Sequence, residues 1–128
     1  YIQKESGEGV FSMAGKLSVE ELLAAIKITP LLISNNTDPV HIAAAFKTPV
    51  LVLYALTNPQ HTPWAVDHEI LAFDVPVEKR SKNTIIKYAY QQSFHNPPVK
   101  VLPEEIVEGA ERLLLKAAVN FREEVLNY

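Results

Sequence analysis

The spacing of apolar residues changes several times along the chain, and each change marks an element. Val19, Leu22, Leu23 and Ile26 recur every three or four residues, the signature of an amphipathic helix. Ser18 with Glu21 three positions later is a capping-box pattern at its start, and Pro30 stops it, so the helix is read over 18–28. Leu31-Leu32-Ile33 is then a short unbroken apolar run, as in a strand buried on both faces. Ser34 to Asp38 interrupts it, and Pro39 suits the first position of a second helix holding Val40, Ala43, Ala44 and Phe46 and ending near Lys47. Thr48-Pro49 is a stop, and Val50 to Tyr54 is another buried strand. Strand, tight loop, helix and strand over 31–54 make a βαβ unit, which demands a parallel sheet with a right-handed crossover.

Residues 55–67 read as a loop, with Asn58-Pro59 and Thr62-Pro63, and Glu69 to Phe73 as a third strand. Residues 74–84 are charged and expected to be exposed, 85–94 fit helix and strand equally, and Asn96-Pro97-Pro98 is a rigid spacer. Pro103 opens a long helix in which Ile106, Ala110, Leu113, Ala117, Phe121 and Val125 recur, with Glu104 and Glu105 at its positive end. Residues 1–9 read as loop and Val10 to Met13 as a short extended piece. No internal repeat or low-complexity tract is present.

Length and composition narrow the function classes. At 128 residues the chain is one domain, long enough for its own core. A net charge of −3 argues against a nucleic-acid binder or a wholly polybasic membrane binder, though not against a local basic patch. Lys79, Arg80 and Lys82 read as solvated surface. With no cysteine, disulfides, thiolate metal sites and Cys nucleophiles are excluded. His61, His68 and His95 have no metal-ligand spacing, so no metal site is expected. No apolar run reaches the ~18 residues of a membrane span. The opening Tyr1, in place of Met, reads as a piece of a longer protein or a processed chain.

The strongest chemical feature is Ser34 to His41. A loop leaving the carboxyl end of a parallel strand and entering a helix is where open α/β sheets bind ligands. The helix N-terminus carries about half a positive charge and unpaired N–H groups, which attract phosphate. Asn36, Thr37 and Asp38 lie there, with the amides of residues 37–39, and His41 can point back from the first turn. The plainer reading is that Asn, Thr and Asp are ordinary helix caps and His41 a half-buried histidine. Trp64 is either a stacking ring or a loop anchor in the core. Asn35-Asn36-Thr37 matches a glycosylation sequon but lies between a strand and a helix, with no secretory signal in view.

Four blocks, in order, resemble the C-terminal half of glycosyltransferase family 9, the bacterial lipopolysaccharide heptosyltransferases. Gly15 to Leu22, read GKLSVEEL, is similar to the family's GKTSLxEL. Ser34 to Ala45, read SNNTDPVHIAAA, resembles SNDTGPMHLAAA. Thr48 to Tyr54 followed by Thr57-Asn58-Pro59 resembles TPVVALFG with TDP, and Leu102 to Ile106 resembles the opening of the family's final helix. The resemblance implies a Rossmann-like α/β fold, a parallel sheet flanked by helices, as the C-terminal half of a GT-B glycosyltransferase. On this view residues 1–128 are one nucleotide-sugar-binding domain, and the N-terminal acceptor domain with its catalytic base is absent.

By the same resemblance Thr37 meets the pyrophosphate, His41 and Pro39 stand beside it, and Asn36 occupies the place of an Asp that contacts the donor sugar. Lys16 and Leu17 join the donor site, Leu17 at a position whose backbone borders the adenine. No catalytic residue, metal or cofactor is implied within the chain; the donor is a nucleotide-diphosphate sugar such as ADP-heptose, and the acceptor a glycan or lipid-linked glycan. The implied location is cytoplasmic, peripheral at the inner-membrane face. The departures are Asp38 for the motif glycine, Ala55 for the glycine after the strand, Asn58 for an Asp, and the lack of a Cys-containing stretch. A carboxylate at 38 would repel a pyrophosphate by ~4 kcal/mol at 4 Å and an effective dielectric near 20. Three readings follow: the donor half of a glycosyltransferase, a degenerate sugar-nucleotide-binding module, or another sugar-nucleotide enzyme such as an epimerase.

Overall fold

The computed structural model describes residues 5–55, 62–93, 98 and 100–126. Helix α1 spans Val19–Ile28, strand β1 Leu32–Asn35, α2 Asp38–Phe46, β2 Val50–Ala55, β3 His68–Phe73, α3 Thr84–Ser93 and α4 Pro103–Leu126, with a 3-10 turn at Val77–Lys79. The capping box forms: the Ser18 amide donates to Glu21 Oε2 at 2.8 Å, and the Glu21 amide to Ser18 Oγ at 3.2 Å. Hydrogen bonds from its own backbone amide, then from Ser18, hold the neighbouring Glu20 carboxyl below its ordinary value.

The strands form one parallel sheet in the order β1-β2-β3, with Leu32 opposite Val50 and Val50 opposite His68. β2 is central, and Val50, Leu51, Val52 and Tyr54 are fully buried, as the unbroken apolar run required. Val50, Val52 and Tyr54 face Ile26 of α1 and Val40 and Ala43 of α2. Leu51 faces the other way, against α4, where Gly109 lets helix and strand meet. Along α4 the expected inward positions hold: Leu113 is buried and Ile106, Ala110 and Ala117 half-buried. The backbone at Phe121 and Val125 is helical, while their side chains lie outside the described residues.

Chain direction settles which ends meet. Thr48 Oγ1, just before β2, donates to the Ile26 carbonyl near the end of α1 at 2.9 Å, at the amino edge of the sheet. Asp67, just before β3, accepts from Lys116 Nζ at 2.6 Å, and Glu69 accepts from Arg112 Nε at 2.8 Å and Nη2 at 2.7 Å. Both α1 and α4 therefore run from the carboxyl edge to the amino edge. The N-termini of α1, α2 and α4 all gather at the carboxyl edge.

The ambiguous stretch 85–94 is helical to Ser93, because Asn83 Oδ1 accepts from the Ile85 amide at 2.9 Å and the Ile86 amide at 3.3 Å and starts the helix. Residues 74–84 are only partly a solvated run: Val75 is buried, and Arg80 pairs with Asp74. Val10 to Met13 joins no sheet among the described residues. Trp64 is 79% exposed, so it is no core anchor. Asn58, His61, His95 and most of the 96–98 spacer fall outside the described residues.

Candidate functional site at the carboxyl edge of the sheet

Two residues, Asn36 and Thr37, join β1 to α2. The turn is tight because the Asn35 carbonyl is shared: it accepts the Thr37 amide at 2.8 Å, Thr37 Oγ1 at 3.3 Å and Ser34 Oγ at 2.9 Å. Thr37 is extended (φ −139°, ψ 179°), and its hydroxyl makes no capping bond to the helix. The ordinary-cap reading of Thr37 therefore does not describe this turn.

The helix start is also sparser in donors than the sequence suggests. The Thr37 amide is committed to Asn35, Pro39 has no N–H, and the Val40 amide donates to the Thr37 carbonyl at 3.0 Å. Among the described residues this leaves the Asp38 amide as the donor not engaged by the turn. The Asp38 side chain is exposed in the first helical turn, where it favours the helix dipole and opposes an arriving anion. Pro39 is half-buried beneath, and His41 is exposed one turn along.

Asn36 is half-buried, and its Oδ1 is buried without a hydrogen-bond partner among the described residues. An unmet buried acceptor costs about 1–3 kcal/mol, so it favours a ligand or water that can donate. Asn36 lines a cavity of about 280 Å³ with Asn35, Leu53, Ala55 and Phe73. The register explains the grouping: Asn35 is opposite Leu53, and Ala55 opposite Phe73. Leu53 and Ala55 share the face of Leu51 by the two-residue period of a strand. The cavity thus opens on the face covered by α4, where that helix leans on β2 and β3, while α2 lies on the opposite face. Asn36 belongs to both.

Lys16 and Leu17 sit just before α1, so chain direction brings them to this same edge. Lys16 is exposed and Leu17 half-buried, and Gly15 holds φ at +69° before them. Among the described residues Lys16 makes no hydrogen bond or ion pair with the 34–41 segment. The sequence reading missed Asn35, Leu53, Ala55 and Phe73. Their available signal was position, since each stands at or near the carboxyl end of a parallel strand. No group of three or more His, Cys, Asp or Glu side chains able to hold a metal occurs among the described residues.

Residues 2–95 match the family model described as glycosyltransferase family 9 (heptosyltransferase). Lipooligosaccharide heptosyltransferase 2 of Haemophilus influenzae is 26% identical over 115 residues, which is 90% of this chain and 32% of that protein. Lipopolysaccharide heptosyltransferase 2 of Salmonella typhimurium is 22% identical over 108 residues, 84% of this chain and 30% of that protein. The chain thus spans about a third of the length of these relatives. The crystal structure of a family 9 glycosyl transferase from Veillonella parvula is similar over 80% of this chain and 28% of that one, with a TM-score of 0.57 and 24% identity. This last likeness concerns the fold, a Rossmann-like α/β arrangement.

Proposed function

The chain belongs to glycosyltransferase family 9, and on that footing we propose that it is the donor-binding domain of a transferase moving a heptose-like sugar from a nucleotide diphosphate to a lipopolysaccharide or related glycan. The observation that carries the reading is the convergence of three helix N-termini on one sheet edge, beside a cavity holding an unmet amide oxygen. Helix N-termini gathered at one sheet edge favour the diphosphate, whose charge grows as the glycosidic bond breaks. Thr37 Oγ1, on turning from the Asn35 carbonyl, and the Asp38 amide would meet the phosphates, and Asn36 the sugar hydroxyls. Leu17 would border the base, with Lys16, Pro39 and His41 at the margin.

In this reading the chain binds and orients the donor and stabilises the leaving group. The base that deprotonates the acceptor hydroxyl comes from a separate acceptor domain, with the whole enzyme a GT-B transferase at the cytoplasmic face of the inner membrane. No helix among the described residues is long and apolar enough to cross a membrane.

The second reading is a degenerate binding module, favoured by one observation: the exposed Asp38 carboxylate stands where the diphosphate would arrive. Thermal unfolding with ADP, UDP, GDP and their sugar conjugates tests the proposal. A ligand at a hundred times its Kd stabilises by about 2.7 kcal/mol, a clear rise in Tm. A rise with one nucleotide class supports donor binding. No rise with any of them would sink it. Donor sugars that bind no better than the bare nucleotides would favour the degenerate module.

A further inference from the structure

From Lys79 to Pro103 the chain has five basic residues, Lys79, Arg80, Lys82, Lys87 and Lys100, and no acidic one. The stretch is strongly positive within a chain of net −3. Arg80 is held by the Asp74 carboxylate and the Val75 carbonyl, whereas Lys79, Lys82, Lys87 and Lys100 are exposed. Within this stretch lies α3, which makes no extensive contact with another described element. Ile85 is 70% and Tyr88 65% exposed. They stand three residues apart, hence side by side on one strip, with Lys87 next to Tyr88 on the side away from Ile85. Ile86 and Ala89 are half-buried on the adjoining side, about 100° around the helix.

We infer that α3 and the basic run before it form a docking surface for an anionic lipid bilayer. Charge complementarity selects an anionic partner, and the two apolar side chains select a surface with an apolar interior. Tyrosine favours the membrane–water interface, and lysines can reach headgroups while their stems cover apolar surface. A polyanion such as RNA would use the lysines but gain nothing from an exposed isoleucine. Placement agrees: the Asp74 amide, one residue after β3, donates to the Pro98 carbonyl at 2.7 Å. The α3 excursion thus leaves from and returns to the carboxyl edge, the edge that also holds the candidate donor site. The inference rests on the proposed membrane-face location only for its setting. Failure of nucleotide binding leaves it standing, and its own failure leaves the donor site standing.

The test is co-sedimentation of the full chain with phosphatidylcholine vesicles, with and without about a third phosphatidylglycerol. Partition is expected only with the anionic lipid, and its loss is expected between about 0.1 M and about 1 M NaCl, where the Debye length falls to about 3 Å. Each lysine near such a surface is worth about fivefold, so Lys79→Gln/Lys82→Gln/Lys87→Gln together should weaken partition about a hundredfold. Ile85→Ser/Tyr88→Ser should weaken it as well. Both variants should keep the parent's circular dichroism and nucleotide-induced Tm shift. No partition into anionic vesicles, or partition unchanged in either variant, overturns the proposal. Tighter lysine-dependent binding to an RNA oligonucleotide or an acidic peptide overturns it too.

Discussion

Replacing Gly109 by alanine probes the seat of α4 on the sheet. A Cβ at this position would lie 2.7 Å from Leu51 Cδ1 and 3.0 Å from Glu69 Oε2. Neither neighbour can give way easily. Leu51 is fully buried in the central strand, and the Glu69 carboxylate is held by two hydrogen bonds from Arg112. Alanine in place of a helical glycine gains about 1 kcal/mol of helix propensity. Overpacking a well-filled site costs about 1–3 kcal/mol. The clash should win, leaving the variant destabilised by about 1 kcal/mol. Urea unfolding of Gly109→Ala in the parent and in a Leu51→Val background reads the two terms separately. Shortening Leu51 makes room, so the alanine should become neutral or stabilising there, with a coupling of about 1–2 kcal/mol. If Gly109→Ala stabilises by about 1 kcal/mol in both backgrounds, as at an exposed helix position, α4 does not rest on Leu51 and the placement of the cavity face is wrong.

Lys47 ends α2 at φ 62°, a left-handed conformation that costs a non-glycine residue roughly 1 kcal/mol, while its Nζ donates to the Ala65 carbonyl at 2.7 Å on the surface. Lys47→Gly should therefore raise stability by about 0.5 kcal/mol in urea unfolding; a loss above about 1 kcal/mol would mean that the lysine contact outweighs the strain. The Glu69 carboxyl is held below its ordinary value, first by its hydrogen bond from Arg112 and then, against desolvation, by that guanidinium's charge. A depressed folded-state value stabilises above the unfolded pKa and is lost as pH falls through the folded one. Arg112→Ala should thus lower stability near neutral pH by at most about 1 kcal/mol, as the pair is partly exposed, with the gap to the parent closing below about pH 4. An equal gap at pH 7 and pH 3 would show that packing, rather than charge, is lost.

The sheet was legible because the apolar runs of β1 and β2 are too short for a helix, and because Pro39 and Thr48-Pro49 bracket the helix between them. β1, however, is an edge strand of the described sheet with Ile33 47% exposed, not a strand buried on both faces. Residues 85–94 were not, since IIKYAYQQSF satisfies periods of two and of 3.6. Asn83 decides it through two amides, and an Asn just ahead of an apolar run is a signal present in the sequence. The candidate site was half legible. The strand–loop–helix position of Asn36, Thr37 and Asp38 follows from order alone; the missing N–H of Pro39 is as plain in the sequence, and the expectation of donors at 37–39 overlooks it. The turn of the Thr37 amide and hydroxyl toward Asn35 does not, because it depends on backbone angles. The cavity wall of Leu53, Ala55 and Phe73 depends on which strand ends are neighbours and which face they present. Only the register shows that.

Calorimetric titration of the parent, Thr37→Ala and Asp38→Gly with ADP and UDP addresses the central claim, that the β1–α2 turn holds the diphosphate of a nucleotide sugar. Removing the Thr37 hydroxyl should weaken binding by about 0.5–1.5 kcal/mol, or up to about 3 kcal/mol if it meets a charged phosphate. Removing the Asp38 carboxylate should tighten binding. Its exposure to solvent reduces the repulsion from ~4 kcal/mol toward ~1 kcal/mol, so the expected gain is about fivefold. Opposite shifts of these sizes for one nucleotide are the predicted result. Unchanged affinity in both variants would contradict the account and place the diphosphate elsewhere.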